Sequence, residues 1–214
     1  MENETLDKYE KYGTLQKMKY LVLDTESGSR HASSTLLTAY FLVADAKFQV
    51  MGDLYLKLKP EGDDHYIVDA QGLAVNKINL VEHDKVAITC KKAGPLLYEF
   101  IKKHAKDGRL TPLGHATKGD IQRITDNTDN LISIGSWEQF CTYHYIDTSV
   151  VLQYLRAIGK MPEDCDGSVV ALANYFGIKV EGDDHDCRVD TKKTMGVFKE
   201  FVRLGKEVCV AAAE

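Results

Sequence analysis

Nothing in this 214-residue sequence approaches the run of ~18 uninterrupted apolar residues that a membrane-spanning helix needs. No membrane association through such a helix is therefore expected. The opening residues, MENETLDKYEKYG, lack the apolar core of a secretory leader, so residues 1–17 read as a solvated N-terminal arm. Cysteine is sparse: five residues, at 90, 141, 165, 187 and 209, odd in number and without a close pair. That argues against a disulfide scaffold and against a zinc site built on paired cysteines, and it favours free thiols in a reducing, cytoplasmic setting. Positive charge is also short, with 27 Lys and Arg against 32 Asp and Glu and a net charge of −5. A basic surface that coats nucleic acid is thus disfavoured. Divalent cations held in a carboxylate cluster reverse the local field, however, so a chain end gripped through metal stays open. No internal repeat or low-complexity tract occurs.

What is present fits one globular domain, 28% charged and 44% apolar. Residues 18–24 (MKYLVLD) form an apolar run of strand length, read as a buried central strand. It ends in Asp24-Thr25-Glu26. Alternate residues of an extended chain point to one side, so Asp24 and Glu26 project together where the strand gives out. Two such carboxylates repel unless a cation lies between them, which suggests a hard-metal site for Mg²⁺ or Mn²⁺. Residues 36–43 and 48–58 read as two further strands joined by a short turn, an antiparallel meander. Residues 61–87 read as loop with short helical pieces, and 91–106 as an amphipathic helix.

A short strand at 110–113 delivers Gly114-His115 and then Asp120 at a helix start. This puts a third carboxylate near a strand tip. A strand over 142–146 leads to Asp147, which caps a helix over 149–158. His144 between two tyrosines reads as structural. A further helix over 168–176 closes at Gly177. In the last motif, HDCRVD, His185 stands five residues ahead of Asp190, and Asp190 opens an amphipathic helix with Met195, Val197, Phe198, Phe201 and Val202 on its apolar side. A carboxylate in a first helical turn meets unpaired N–H groups and the positive end of the dipole. His115 also precedes Asp120 by five residues, so this spacing alone does not single out a catalytic pair.

Taken in order, Asp24, Glu26, Asp120, His185 and Asp190, carried by the words LDTESGS, GHATKGDIQRI, YIDTSVVLQYL, LANYFGI and HDCRVDTKKTMGVFKEF, resemble the DEDDh-type (DnaQ-like) 3′-to-5′ exonucleases. The resemblance spans about residues 18–204, and GLAVNKINL belongs to it as well. It implies an α/β, ribonuclease H-like fold: a central mixed five-stranded sheet, three antiparallel strands then two parallel, flanked by helices. Residues 1–17 would be the arm, 18–204 the exonuclease domain and 205–214 a C-terminal tail. It further implies release of nucleoside 5′-monophosphates from single-stranded or frayed DNA 3′ ends, with two divalent ions, Mg²⁺ or Mn²⁺, held by Asp24, Glu26, Asp120 and Asp190. Asp24 would bridge the ions, Asp120 would support the one near the leaving oxygen, and His185 would take the proton from the attacking water. Thr25 and His115 are the expected substrate contacts. A polymerase or a second copy would be the protein partner, in a proofreading or DNA-repair setting. The alternatives are an exoribonuclease and a catalytically lapsed domain that only binds nucleic acid or protein. Tyr66 and Trp137 are considered for base stacking, with packing the favoured role. Ala116, Gly119 and Cys187 depart from the family's asparagine, aromatic and alanine at those places, which predicts looser packing behind Asp120.

Overall fold

A computed structural model describes residues 18–31, 33–62, 65–126 and 130–211, with the side chains of 208–211 not described. The solvated arm at 1–17 lies outside the described residues. Three long strands come first: β1 (Lys19–Ser27), β2 (Leu36–Asp45) and β3 (Val50–Lys59). Two short helices, α1 (Ala70–Asn76) and α2 (Leu80–Val86), lead to the two-residue strand β4 (Ile88–Thr89). Helix α3 (Cys90–His104) precedes β5 (Thr111–Gly114), α4 (Thr117–Thr125) and α5 (Ile134–Phe140). The chain ends with β6 (Ile146–Asp147), α6 (Thr148–Ala157), α7 (Val169–Tyr175) and the long α8 (Cys187–Ala211).

The sheet order is β4-β3-β2-β1-β5-β6. β1, β2 and β3 pair antiparallel, and β5 and β6 continue parallel beyond β1. The mixed sheet expected from the sequence is therefore present, with one correction: among the described residues it has six strands, because β4 adds parallel to β3 at Leu58 and Lys59. Two residues carry no periodicity that could announce a strand. The strand expected over 142–146 is also shorter, since only Ile146 and Asp147 pair, with Leu113 and Gly114. Helix α8 runs on to Ala211, through part of the residues read as a tail.

The middle of β1, Tyr20 to Leu23, is buried because the strand sits between β2 and β5 with helices on both faces. Its odd side chains, Leu21 and Leu23, join Phe41, Leu58, Leu97, Ile101, Ile124 and Trp137 in one core. Its even side chains, Tyr20 and Val22, face the other way onto Leu113, Cys187 and Phe198. Tyr20, Phe48 and Phe198 interlock there, with ring centroids 5.3–5.8 Å apart, in the stacked and edge-on arrangements that aromatic quadrupoles favour. α8 thus lies across the even face of β1 and β2. Trp137, only 3% exposed, is a core residue rather than a stacking platform. Tyr66 donates its hydroxyl to Asp84 Oδ1 at 2.9 Å and meets the His83 ring edge-on, a packing role as well.

Candidate functional site

The two-residue alternation of β1 decides where its last residues go. Asp24 and Glu26 continue the even face that carries Tyr20 and Val22, so they emerge beside the start of α8, where Asp190 occupies the first turn. A carboxylate oxygen from each of Asp24, Glu26 and Asp190 lies within 4.8 Å of the others. Thr25, one residue out of phase, points to the opposite face, where its hydroxyl donates to Oδ1 of Asp120 on α4 at 2.5 Å. Asp120 is buried, 7% exposed.

Charge and burial act together. Asp24 is raised well above the usual carboxylate range, by desolvation first and then by Asp120, Glu26 and Asp190. Glu26 is pushed up to about 8, again by burial and then by Asp190, Asp120 and Asp186. Burial lifts Asp120 to about 6, against the Thr25 hydrogen bond that lowers it. Asp190 is raised by burial and lowered by Lys193 and His185. Its Oδ1 is buried without a hydrogen-bond partner. Clustered carboxylates with a buried, unsatisfied oxygen are the donor set a hard divalent cation satisfies, so these residues fit Mg²⁺ or Mn²⁺.

The second motif is built on β5 and β6. Gly114 lets β5 come close to β1: a Cβ there would stand 2.9 Å from Thr117 Oγ1 and 3.2 Å from the Leu23 carbonyl. Ala116 follows at φ 58, the left-handed region, where an asparagine would be better tolerated than an alanine. Asp147 holds that turn in place, accepting from the amides of Ala116 and Thr117 at 3.0 and 3.1 Å while capping α6 through Ser149. Sequence reasoning found the cap and missed the cross-link, because only the pairing of β6 with β5 brings the two turns together. His115 meets Thr148 Oγ1 through Nδ1 at 2.9 Å. The Thr148 hydroxyl spends its single proton on the Gly114 carbonyl at 3.1 Å. His115 Nδ1 therefore carries the proton, and Nε2 is left as an acceptor in the neutral ring that burial favours.

His185 sits on the loop before α8 at φ 66, with its amide donating to Asp190 Oδ2 at 3.2 Å. Arg188 grips Asp186 with two nitrogens and lies 4.6 Å from the centre of the Tyr55 ring. Cys187 is buried beside Thr38, with Sγ 3.3 Å from the hydroxyl. A cleft of about 230 Å³ opens beside the cluster, lined by Glu26, Tyr55, Lys57, Lys77, His185 and Arg188 among others. The structure thus brings Asp24, Glu26 and Asp190 to one point, sets Asp120 behind Thr25, and leaves His185 and His115 on separate loops.

No family model and no curated protein matches the sequence. Solved structures do. E. coli exonuclease I in complex with a dT13 oligonucleotide superposes with a TM-score of 0.70 at 14% identity, over 91% of this chain and 43% of that one. Cell-death related nuclease 4 (CRN-4) gives 0.62 at 11% identity, over 89% and 65%. The zinc-ion-bound exonuclease I–ssDNA complex gives 0.64 at 15% identity, over 91% and 43%. The chain has the exonuclease I fold. It spans under half the length of exonuclease I. Among the described residues, no helix is long and apolar enough to cross a membrane.

Proposed function

We propose that the chain is a metal-dependent 3′-to-5′ exonuclease of the DnaQ-like, DEDDh type, acting on single-stranded or frayed DNA ends. The observation that carries this reading is the meeting of Asp24, Glu26 and Asp190 within 4.8 Å, beside a cleft, on the exonuclease I fold. Asp24, Glu26 and Asp190 would hold divalent cations, with Asp120 in support. Such cations, when bound, neutralise charge on a scissile phosphate and make hydroxide available at neutral pH. The protein's own part is orientation and proton transfer. Asp24, at the end of the rigid β1, fixes the donor set. His185, on its loop beside Asp190, accepts the proton of the attacking water, work suited to imidazole. Thr25 keeps Asp120 ionised and aimed, since a hydroxyl donated to a carboxylate favours its charged form. Lys57, Lys77 and Arg188 on the cleft wall offer cations to the phosphates of an incoming strand. DNA is favoured over RNA by the oligonucleotide bound in the exonuclease I structure, a dT13 strand.

The deciding measurement is digestion of 5′-labelled single-stranded DNA, RNA of the same sequence and duplex DNA in Mg²⁺ or Mn²⁺. A ladder shortening from the 3′ end of single-stranded DNA, abolished by EDTA, is the expected result. Activity persisting in excess EDTA rejects the mechanism. Binding without cleavage of any substrate would mark a lapsed domain, and faster loss of RNA an exoribonuclease.

A further inference from the structure

Lys193 lies in the first turns of α8, three residues after Asp190, and its side chain is only 8% exposed. An ammonium withdrawn from water is costly unless partners replace its hydration, so buried lysines are found paired. Lys193 has two carboxylates. Its Nζ is in direct hydrogen-bonding contact with Oδ1 of Asp184, and it stands 3.7 Å from Oδ1 of Asp190. Asp190 is part of the helix. Asp184 belongs to residues 178–186, which form neither helix nor strand, and it immediately precedes His185.

His185 needs such an anchor. Its side chain is exposed, so close packing does not hold the imidazole, and the backbone position decides what it can reach. That backbone is left-handed, φ 66, a conformation unfavourable for a residue with a β-carbon. A single amide hydrogen bond, to Asp190 Oδ2 at 3.2 Å, works against that strain, and the net gain from one such bond is modest. The two contacts bracket the residue: Asp184 is tied to the helix through Lys193, and the amide of His185 through Asp190.

We infer that Lys193 is a positioning residue: by clamping Asp184 to the first turns of α8, it holds His185 facing the carboxylate cluster before any substrate arrives. The inference rests on the nuclease reading for what His185 does, and on geometry alone for how it is held. A competing role for Lys193, mere neutralisation of Asp190, is separable from it. Asp184→Asn weakens the clamp and leaves the ammonium beside Asp190, whereas Lys193→Met removes both.

The test compares wild-type protein with Asp184→Asn, Lys193→Met and Lys193→Arg in two readouts: steady-state hydrolysis of labelled single-stranded DNA, and hydrogen exchange over residues 183–186. Asp184→Asn and Lys193→Met should each lower kcat roughly 10- to 100-fold, with KM and Mn²⁺ affinity of Asp184→Asn near wild type. Both should speed exchange at the His185 amide, and Lys193→Arg should restore most of kcat and of the protection. A slow Lys193→Met beside a wild-type Asp184→Asn would assign the effect to charge on Asp190 and overturn the clamp. Unchanged exchange at His185 in Asp184→Asn would overturn it as well, whether or not the wild-type protein cleaves DNA. Asp184 is half exposed, so its variant keeps the test open should Lys193→Met fail to fold.

Discussion

Each carboxylate of the cluster is costly to the fold until a cation joins it. Glu26 reaches about 8 because burial and three acidic neighbours disfavour its charge. Between the ordinary carboxylate range and that value the native protein holds a proton the unfolded chain has released. Its contribution to stability is therefore complete below about pH 4 and is lost as pH rises through about 8. In EDTA, denaturant titrations should show wild-type stability falling over this window by a few kcal/mol at most, and Glu26→Gln, with no such proton, should flatten the slope. Parallel slopes for the two proteins would refute the assignment. His185→Ala should slow hydrolysis roughly 10²–10⁴-fold while leaving Mn²⁺ titration unaltered, and Asp24→Ala should abolish both with the fold intact by circular dichroism. At this scale the sequence was informative where chemistry and local period coincide: Asp24 and Glu26 declared themselves by alternation, and Asp190 by its helix start. Lys193 and Asp147 were silent, since nothing in KKTMG or YIDTS says that one is buried between two acids or that the other braces a turn 30 residues away.

The ends of elements matter more than their middles here. Helix α1 buttresses the tip of β1: the Asp69 amide donates to the Gly28 carbonyl at 2.9 Å, and Asn76 Nδ2 donates to the Ser27 carbonyl at 3.0 Å. Gly72, within α1, lies directly against the Gly28 backbone, where an added Cβ would overlap it. Gly72→Ala should then destabilise by about 1–3 kcal/mol, the usual cost of overpacking. It should also depress hydrolysis, because the displaced strand end carries Glu26. Thermal melts and rates measured together check this; a loss of stability with an unchanged rate would show that the tip of β1 tolerates the shift. The word GLAVNKINL was legible as part of a family pattern, but its job as a brace was not. Long strands announced themselves by apolar run, as with 36–43, and amphipathic helices by period, as with 91–106. β4 is too short to have a period, and the sheet part of 142–146 shrank to its last residue because Leu110 pairs with Cys141 only as an isolated bridge.

Over the whole molecule, the strand order explains why one end of the sheet is the working end. β1 lies between an antiparallel and a parallel neighbour, and the carboxyl ends of β1, β5 and β6 open together toward the starts of α4, α6 and α8. Side chains from three separated stretches gather there because the topology returns the chain to that end of the sheet each time, which no local reading of Asp120 or Asp190 reveals. Occupancy of the cluster then links binding to global stability. A cation that binds the native cluster and not the unfolded chain stabilises by RT ln(1 + [L]/Kd), about 2.7 kcal/mol at a hundredfold excess over Kd. For a chain of this size each kcal/mol raises Tm by about 2–4 °C, so saturating Mn²⁺ should lift the melting temperature by roughly 5–10 °C. Asp24→Asn should begin with an equal or higher metal-free Tm, having lost a buried like charge, and should gain little on addition of Mn²⁺. Calorimetry on both proteins with and without the ion measures this directly. An equal rise in the variant would place the cation elsewhere than between β1 and α8.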